Sequence, residues 1–337
     1  MRNQSPPGRA RLSDVARRAG VSAATVSRVL SRPGLVAEAT REAVLKAVSE
    51  TGYRINHAAR NLRKQRTGCV VALLPNLANS FFAKILDGMG RELARAGYDL
   101  LVADTLEDSG RHTRLDRFLD PSRADGIVLM DGLAPFDDLA GRPDLPPVIT
   151  ACEWIEGVEL PRVMLDNRKG AELAVTHLRD LGHDHIGLIG GPPDNVLHKD
   201  RLAGAQTAAG SARITGFPGD FTMQSGQRAA EAWLALPARD RPGAVFAFSD
   251  EMACAFMSGL RRAGISVPQD LSIIGFDDIE LVSHLTPALT TIRQPKREIG
   301  RKAAQIILDR IAGQEIPTVT LLEPELMLRE TTAAPQR

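Results

Sequence analysis

Hydrophobic positions recur at helical spacing near the start of the chain. The spacing predicts a first helix over residues 12–19, capped by Ser13, and Gly20 then allows a sharp turn. A second helix is predicted from Ala23 to about Leu30, with Ser22 as its N-cap. The apolar positions of the two helices are Leu12, Val15, Ala16, Ala19, Val26, Val29 and Leu30. Two short helices joined in this way indicate a helix-turn-helix.

The outward face of the second helix carries small or hydrogen-bonding side chains that let a helix approach base edges closely. They are Ala23, Ala24, Thr25, Ser27 and Arg28. The pattern alone also fits an ordinary amphipathic helix pair at a surface. A third helix follows at about 38–51 and ends at Gly52.

From residue 69 onward, short apolar runs alternate with amphipathic stretches, which predicts parallel sheets covered by helices on both faces. The predicted strands are 69–75, 98–104, 126–130, 147–152, 185–191, 244–249 and 271–277, and the predicted helices are 82–96, 168–181, 251–263 and 296–311. Polar residues that follow such strands mark the carboxyl edge, where α/β sheets bind ligands. These residues are Asn76, Asp104, Asp131, Asp166, Asn195, Ser249, Asp250 and Asp277.

Charge separates the beginning of the chain from the rest. Residues 1–66 contain 14 Lys and Arg against 4 Asp and Glu, a net charge of +10, whereas the remainder carries 28 against 37, a net charge of −9. A basic segment attracts phosphates through counterion release. Basic segments also serve membranes or solubility, but a helix-turn-helix in the same segment favours nucleic acid.

Two other classes of protein are weighed against DNA binding. An exported sugar-binding protein needs a signal peptide, whereas residues 1–10 have no apolar stretch and are expected to be a disordered tail of a cytoplasmic protein. An enzyme needs catalytic residues, and no phosphate-binding loop, catalytic triad, metal motif or cofactor motif stands out. The glycines at 187, 190 and 191 fit a tight turn after a strand.

Residues 53–68 are basic and poor in apolar positions. A helix over HAARNLRK is too short to be stable alone and needs a partner to order it, for which DNA is the obvious candidate.

Several motifs together resemble the LacI/GalR family of bacterial transcriptional repressors, over about residues 11–330. They are DVARRAGVSAATVSRVL at 14–30, VAEATREAVLKAVSETGY at 36–53, NHAARNL at 56–62, RTGCVVALLPNLANSFFAKILDGM at 66–89, GHDHIGLIGGP at 182–192, FAFSDEMA at 246–253, VPQDLSIIGFDD at 267–278 and PALTTIRQP at 287–295. Within that family, LPPVITACEWIEGVELPRVMLDN at 145–167 looks most like the cytidine-repressor branch.

The resemblance implies an all-α helix-turn-helix headpiece over 11–55, a hinge helix and linker over 56–67, and an α/β core over 68–337. The core is expected to be periplasmic-binding-protein-like, with two doubly wound parallel-sheet subdomains. Their expected extents are 68–182 plus 296–313 for the N-subdomain and 183–295 plus 314–330 for the C-subdomain. The implied partners are pseudo-palindromic double-stranded operator DNA, a sugar or nucleoside effector in the cleft, and a second copy in a homodimer. The dimer is expected because the chain stops after LMLRETTAAPQR, with no leucine heptad tail.

The resemblance also assigns DNA contacts. In the family's pattern Ala23, Ala24 and Arg28 read bases, and Leu62 opens a central base step from the minor groove. The remaining implied DNA contacts are Ser22, Thr25, Ser27, Asn56, Ala59, Arg60 and Arg63. An alternative interpretation is that Arg28 forms a surface ion pair and that Leu62 makes a weak helix contact.

The implied effector residues combine aromatic rings with donors and acceptors, which suits a polyhydroxylated ring. They are Phe81, Phe82, Asn195, Leu197, Arg201, Phe221, Ser249, Asp250, Asp277 and Gln294. An alternative interpretation is that Phe81 and Phe221 are core residues and that Asp250 caps a helix. The connection after Arg201 reads GAQTAAGSARITGFP, shorter and richer in glycine than the family's pattern, and its glycines are expected to loosen a helix there.

Overall fold

The structure is a computed structural model that describes residues 10–31, 33–53, 66–105, 118–133 and 145–336. The chain divides into two compact units, residues 1–65 and 66–337. The predicted tail, most of the predicted hinge and its proposed DNA contacts Asn56, Ala59, Arg60, Leu62 and Arg63 lie outside the described residues.

The first unit contains the three predicted helices: α1 (Leu12–Ala19), α2 (Ala23–Ser31) and α3 (Glu38–Thr51). One apolar cluster joins them, and its buried members are Val15, Ala16, Val26, Val29, Val44 and Ala47. The helix-turn-helix prediction is therefore confirmed. An ion pair between Arg18 and Glu50, with 2.6 Å from nitrogen to oxygen, ties α1 to α3 at the surface.

The caps of α1 and α2 explain the turn between them. Gly20 ends α1 with φ of 66°, a left-handed conformation that glycine adopts without steric cost. The Ser22 hydroxyl accepts a hydrogen bond from the Thr25 N–H at 3.1 Å, as predicted for the N-cap of α2. The prediction for Ser13 is wrong: α1 begins at Leu12 as predicted, so its N-cap is Arg11 and Ser13 lies inside the first turn. The Asp14 carboxylate, not the Ser13 hydroxyl, accepts from the Arg11 N–H at 2.9 Å.

The second unit contains two six-stranded sheets. The first sheet has the order β11-β5-β4-β3-β1-β2, and all its pairs are parallel. Its strands are β1 (Cys69–Leu74), β2 (Asp99–Asp104), β3 (Gly126–Leu129), β4 (Val148–Ala151), β5 (Arg162–Leu165) and β11 (Val319–Leu322). Two helices that pack on each other, α4 (Phe81–Arg95) and α9 (Lys296–Ile311), contact this sheet.

The second sheet has the order β12-β10-β9-β8-β6-β7. Its strands are β6 (His185–Ile189), β7 (Arg213–Phe217), β8 (Ala244–Ala247), β9 (Ser272–Asp277), β10 (Thr290–Arg293) and β12 (Glu325–Met327). Its helices are α5 (Asn167–Asp180), α6 (Val196–Ala209), α7 (Met223–Ala235) and α8 (Asp250–Arg262). All pairs are parallel except β10 with β12, so the second sheet is parallel, as expected, apart from one antiparallel edge strand.

The boundaries between the segments that belong to the first sheet and to the second sheet lie at other residues than expected. Helix α5 contacts β10 and β12 of the second sheet, so the chain leaves the first sheet before residue 167 and not at 182. Strand β11 pairs with β5 of the first sheet, although 314–330 was assigned to the C-subdomain. Each element follows the sheet that buries its apolar side, which chain position alone does not reveal.

The glycines after Arg201 do not loosen a helix. Helix α6 continues to Ala209 and ends at Gly210, where φ is 56°. A Cβ atom at Gly204 would lie 2.2 Å from the Arg168 carbonyl oxygen, so a glycine is required for α5 and α6 to pack closely.

Candidate functional site

The exposed face of α2 is the candidate surface for DNA. Ala23, Ala24, Ser27 and Arg28 are exposed and Thr25 is half-buried, whereas Val26 and Val29 face the core. The helix contains no acidic residue. Within the described part of the headpiece, Arg28 forms no ion pair or hydrogen bond, so the alternative of a surface ion pair has no partner there.

The Ser22 and Thr25 hydroxyls are already engaged with each other. Their oxygens lie 2.9 Å apart, and the Ser22 oxygen also accepts from the backbone of Thr25. The contact orders the first turn of α2 and holds both hydroxyls at its exposed end. Such an arrangement suits phosphate contacts, which position a recognition helix without reading sequence.

The second unit contains a cavity of about 180 Å³ between the carboxyl ends of the two sheets. Nine of the ten predicted effector residues line it: Phe81, Phe82, Asn195, Leu197, Arg201, Phe221, Ser249, Asp277 and Gln294. Carboxyl edges of parallel strands are the general place for ligands in such sheets. The two sheets supply opposite walls, because β1, β3 and β4 lead into one and β6, β8 and β9 into the other.

Two aromatic rings form the apolar part of the first wall. Phe81 and Phe82 begin α4, and their ring centroids lie 5.1 Å apart in an edge-to-face contact. Both side chains are buried, and both also line the cavity. Phe81 thus belongs to the core and to the cavity at once. The Asn79 side chain, one residue before the N-cap Ser80, accepts from the Phe81 N–H at 2.8 Å and so occupies the first donor of α4.

Arg201 is a buried cation in the second wall, with 2% of its surface exposed. Its Nε donates to Asn167 Oδ1 at 2.9 Å, and one terminal nitrogen donates to the Phe248 carbonyl oxygen. The guanidinium carbon lies 3.7 Å from the ring centre of Phe276, a cation–π contact. Burial lowers the pKa of Arg201, while the carboxylates of Asp277 and Glu153 oppose that change. The cation is therefore fixed in one position at the cavity wall.

Asp277 ends β9 in a strained conformation, with φ of 120°. Gln294 Nε2 donates to its Oδ1 at 2.7 Å, and the Lys296 ammonium donates to its carbonyl oxygen. Burial raises the pKa of Asp277 to about 6, and the charges of Arg201 and Lys296 oppose the rise. These contacts hold the carboxylate at the cavity although the backbone there is unfavourable for a non-glycine residue.

Asn195 caps α6 and also connects the two walls. Its Oδ1 accepts from the Leu197 N–H at 2.8 Å, and its Nδ2 donates to Glu153 Oε2 at 3.0 Å across the cavity. Glu153 also accepts from the Gly132 N–H at 2.8 Å. Burial raises the pKa of Glu153 to about 7, whereas the hydrogen bond from Gly132 lowers it.

Ser249 lines the cavity and caps α8, because its hydroxyl accepts from the Met252 N–H at 3.2 Å. Phe221 has φ of 65°, and its ring lies 5.9 Å from the guanidinium of Arg201. The ring passes over Gly191, where a Cβ atom would lie 2.2 Å from it.

Asp250 does not line the cavity, so its assignment as an effector residue is corrected. The side chain is fully buried and accepts from the Thr291 hydroxyl at 2.6 Å and from the Ile279 N–H at 2.9 Å. Its bonds stabilise the segment after β9, and Ser249, not Asp250, caps the helix. Burial and the charge of Asp277 raise the pKa of Asp250 well above its ordinary value.

Sequence reasoning missed part of the cavity wall. The further lining residues are Pro75, Asn76, Asn79, Asp131, Leu133, Cys152, Glu153, Pro192, Asp220 and Thr222. Asn76 and Asp131 follow predicted strands and are expected at the carboxyl edge, but the family resemblance does not place them among the effector residues. Glu153 lies two residues beyond β4, where the pattern gives no indication that a carboxylate is buried.

No group of histidine, cysteine and carboxylate side chains within the described residues could hold a metal ion. Helices long and apolar enough to cross a membrane are likewise absent from the described ranges.

Comparison with known proteins matches both units. The model of bacterial regulatory proteins of the lacI family matches residues 11–56, and that of the periplasmic binding protein-like domain matches residues 175–332. The transcriptional repressor CytR of Escherichia coli K12 is 38% identical over 332 residues, which cover 96% of this chain and 97% of CytR. The repressor PurR of Photobacterium profundum is 36% identical, covering 96% of this chain and 98% of PurR.

Solved structures agree with these relatives. The lac repressor dimer bound to operator and the anti-inducer ONPF superposes with a TM-score of 0.86 at 28% identity, covering 97% of this chain and 100% of that one. The transcriptional regulator CelR in complex with cellobiose gives a TM-score of 0.71 at 33% identity, covering 96% and 100%. The expected fold class is confirmed, and the relatives are repressors and not enzymes. The chain belongs to the LacI family of bacterial regulatory proteins, and is a DNA-binding transcriptional regulator.

Proposed function

We propose that this chain represses transcription as a homodimer on a pseudo-palindromic operator, under the control of a sugar or nucleoside bound between its two sheets. The observation that carries the proposal is that one chain joins an acid-free, exposed recognition helix to a cavity in which Arg201 and Asp277 meet aromatic rings. The protein then acts in the cytoplasm and associates with the nucleoid when it is bound to DNA.

On the DNA side, α2 supplies the base contacts. The Arg28 guanidinium can donate two hydrogen bonds to a guanine, and the methyl groups of Ala23 and Ala24 can contact thymine methyls. Ser22, Thr25 and Ser27 contact phosphates. Dimeric binding is supported by the lac repressor, which was solved as a dimer on its operator.

On the effector side, the cavity offers rings for stacking and both signs of charge for hydroxyl groups. Relatives of known structure support a sugar: CelR was solved with cellobiose, and a LacI family regulator from Enterococcus faecium with ribose. The resemblance of residues 145–167 to the cytidine-repressor branch keeps nucleosides in the proposed class.

Contacts across the cavity provide a physical route for control. Besides Asn195 with Glu153, Lys84 pairs with Glu280 at 3.2 Å, and Lys199 with Glu156 at 2.6 Å. A ligand that binds one separation of the walls more tightly raises the population of that state. Where the two states differ in operator affinity, the ligand thereby changes the operator affinity of the protein.

The experiment is a selection of duplexes from a random pool by the full-length protein, followed by affinity measurements with and without each compound of a panel. Two related half-sites and an affinity that falls steeply with salt are expected. An effector should change the operator affinity by 5-fold or more, roughly the smallest common allosteric coupling. Binding without sequence preference contradicts the DNA half of the proposal, and an operator affinity that no compound changes contradicts the control half.

A further inference from the structure

The charges that line the cavity are strongly unequal. Among the described lining residues, Arg201 is the one cation, and it faces four carboxylates: Asp131, Glu153, Asp220 and Asp277. Asp131, Glu153 and Asp277 are buried side chains. An anion that entered this space would meet more negative than positive charge in a region that water screens poorly.

The hydrogen bonds show which of these carboxylates are open to a ligand. Asp131 uses both oxygens, accepting from Leu133 N–H and the Thr105 hydroxyl, and Asp220 accepts from Thr222 and Arg228. Glu153, in contrast, accepts with Oε2, and Asp277 with Oδ1. Neither Glu153 Oε1 nor Asp277 Oδ2 takes a hydrogen bond from a described residue, and neither atom is sealed from the cavity.

The two open oxygens lie on opposite walls, because Glu153 follows β4 of the first sheet and Asp277 ends β9 of the second. A compound that reaches both must carry at least two hydrogen-bond donors, since an ionised carboxylate accepts only. Arg201 has one terminal nitrogen left, because Nε and the other nitrogen are bonded to Asn167 and Phe248.

Helix N-termini at the cavity could in principle attract a phosphate, but at least one N–H group of each first turn is already bonded to a side chain. Four helices of the described residues begin at the cavity wall, and each has a side chain that accepts from its first turn: Asn79 for α4, Asn195 for α6, Thr222 for α7 and Ser249 for α8. A phosphate site at a helix N-terminus needs free N–H groups pointed at the ligand. These contacts remove part of that attraction from all four helices.

We propose that the effector is an uncharged donor-rich compound, a nucleoside or free sugar, that bonds to Glu153 and Asp277 at once, and that its phosphate ester is excluded. The inference rests on the proposed function, because it takes the cavity as the effector site. Glu153 thereby joins the proposed binding residues, and phosphate esters are removed from the proposed class of ligand.

The test compares matched pairs at pH 8 with the full-length protein: cytidine and its 5′-monophosphate, adenosine and its 5′-monophosphate, and ribose and ribose 5-phosphate. Inorganic phosphate at the same concentration gives the baseline for anions that bind the basic headpiece. Calorimetric titration should detect binding of at least one uncharged member, with its ester more than about 100-fold weaker, as expected when like charges meet in a buried site.

Glu153→Gln keeps the shape and the bond from Asn195 but removes one charge. The variant should narrow the affinity ratio between compound and ester by about tenfold, because the charge that it removes repels the phosphate of the ester and not the uncharged compound. Glu156→Gln is the matched control, since Glu156 also bridges the walls, to Lys199, but is exposed and lies outside the cavity lining. It should leave the ratio unchanged.

An ester that binds as tightly as its uncharged partner overturns the inference, and so does a panel in which no uncharged member binds. Failure of the proposed function gives a different result. An ester that releases the operator refutes the inference while the function stands, whereas an uncharged ligand that binds without changing operator affinity refutes the function while the inference stands.

Discussion

The recognition face of α2 and the wall of the cavity use polar side chains in opposite ways. Arg28 is exposed and has no bonded partner among the described residues, whereas Arg201 is buried and bonded to Asn167 and Phe248. A DNA duplex brings its own shape and many phosphates, so a reading side chain can remain free until it binds. A small ligand offers few contacts, so the protein must fix each group beforehand. The two arginines should therefore respond differently to the same substitution.

The largest expected effect is on the stability of the cavity unit. Arg201→Met leaves the buried carboxylates of Asp277 and Glu153 without their cation, and the free energy of unfolding should fall by about 3–5 kcal/mol. Urea unfolding followed by tryptophan fluorescence measures this, because both tryptophans, Trp154 and Trp233, lie in the second unit. Arg228→Met is the control, since Arg228 is exposed and pairs with Asp220 at the surface. A loss below about 1 kcal/mol, as for a surface pair, would show that Arg201 is not held as described.

The next effect compares two helix caps. Ser22→Ala should destabilise the headpiece by about 1 kcal/mol, because it removes one cap bond. Asn195→Ala removes a cap and also the donor to buried Glu153, so the second unit should lose about 2–4 kcal/mol. Thermal unfolding monitored by circular dichroism and by fluorescence reports on both. Equal losses would mean that the bond across the cavity adds nothing to the cap.

Operator reading comes third. Arg28→Ala should weaken binding to the selected operator by about 1–3 kcal/mol and relax the preference at one base of each half-site. Its unfolding free energy should stay within about 0.5 kcal/mol of the parent's, because the side chain is exposed. Lys46→Ala removes the same charge from α3 and should weaken binding to all duplexes alike. If Arg28→Ala keeps every base preference in a competition assay, Arg28 does not read the operator.

The smallest effect is on pH dependence. The pKa of Glu153 is raised by burial to about 7, so the folded protein binds its proton more tightly than the unfolded chain does. This group therefore stabilises the fold as pH falls from about 8 towards 5, by at most ~1.4 kcal/mol per pKa unit. Four histidines that are buried or half-buried have pKa values lowered by burial, and they act in the opposite direction: His177, His183, His185 and His198.

Because the two trends overlap, the informative quantity is the difference in the free energy of unfolding between the parent protein and Glu153→Gln, measured at each pH. The variant should be the more stable of the two at pH 8, and the gap should close towards pH 5. Glu156→Gln should show no such gap. A constant difference from pH 5 to pH 8 would mean that Glu153 titrates as it does in the unfolded chain.

The sequence predicted elements well where periodicity and burial coincide. Helices α1, α3 and α9 have the predicted bounds, and the seven continuous apolar runs are strands. Strands β7 and β11 were missed because they are short and mix polar with apolar residues, so they show no continuous apolar run. Strand β10 was missed because its buried positions include two threonines.

The cavity was predictable for a different reason. Its predicted residues came from family motifs and strand ends, and nine of them line one space. Asp250 and Glu153 show the limit of that reasoning. Which of two carboxylates near strand ends faces the cavity depends on packing, here on Gly275, where a Cβ atom would lie 2.2 Å from Asp250 Oδ1. Glycine leaves room for Asp250 beneath the sheet, and no local pattern reports this.

The complete binding cycle of operator and effector on the full-length protein shows whether the cavity controls DNA binding. Operator affinity is measured by fluorescence anisotropy with and without the paired-panel compound that binds best, and affinity for that compound is measured with and without operator. Coupling predicts that the compound changes operator affinity by the same factor by which operator changes affinity for the compound. Asp277→Ala should reduce this factor to unity without changing operator affinity in the absence of the compound. An operator affinity that stays the same when the cavity is saturated would show that the cavity does not control DNA binding.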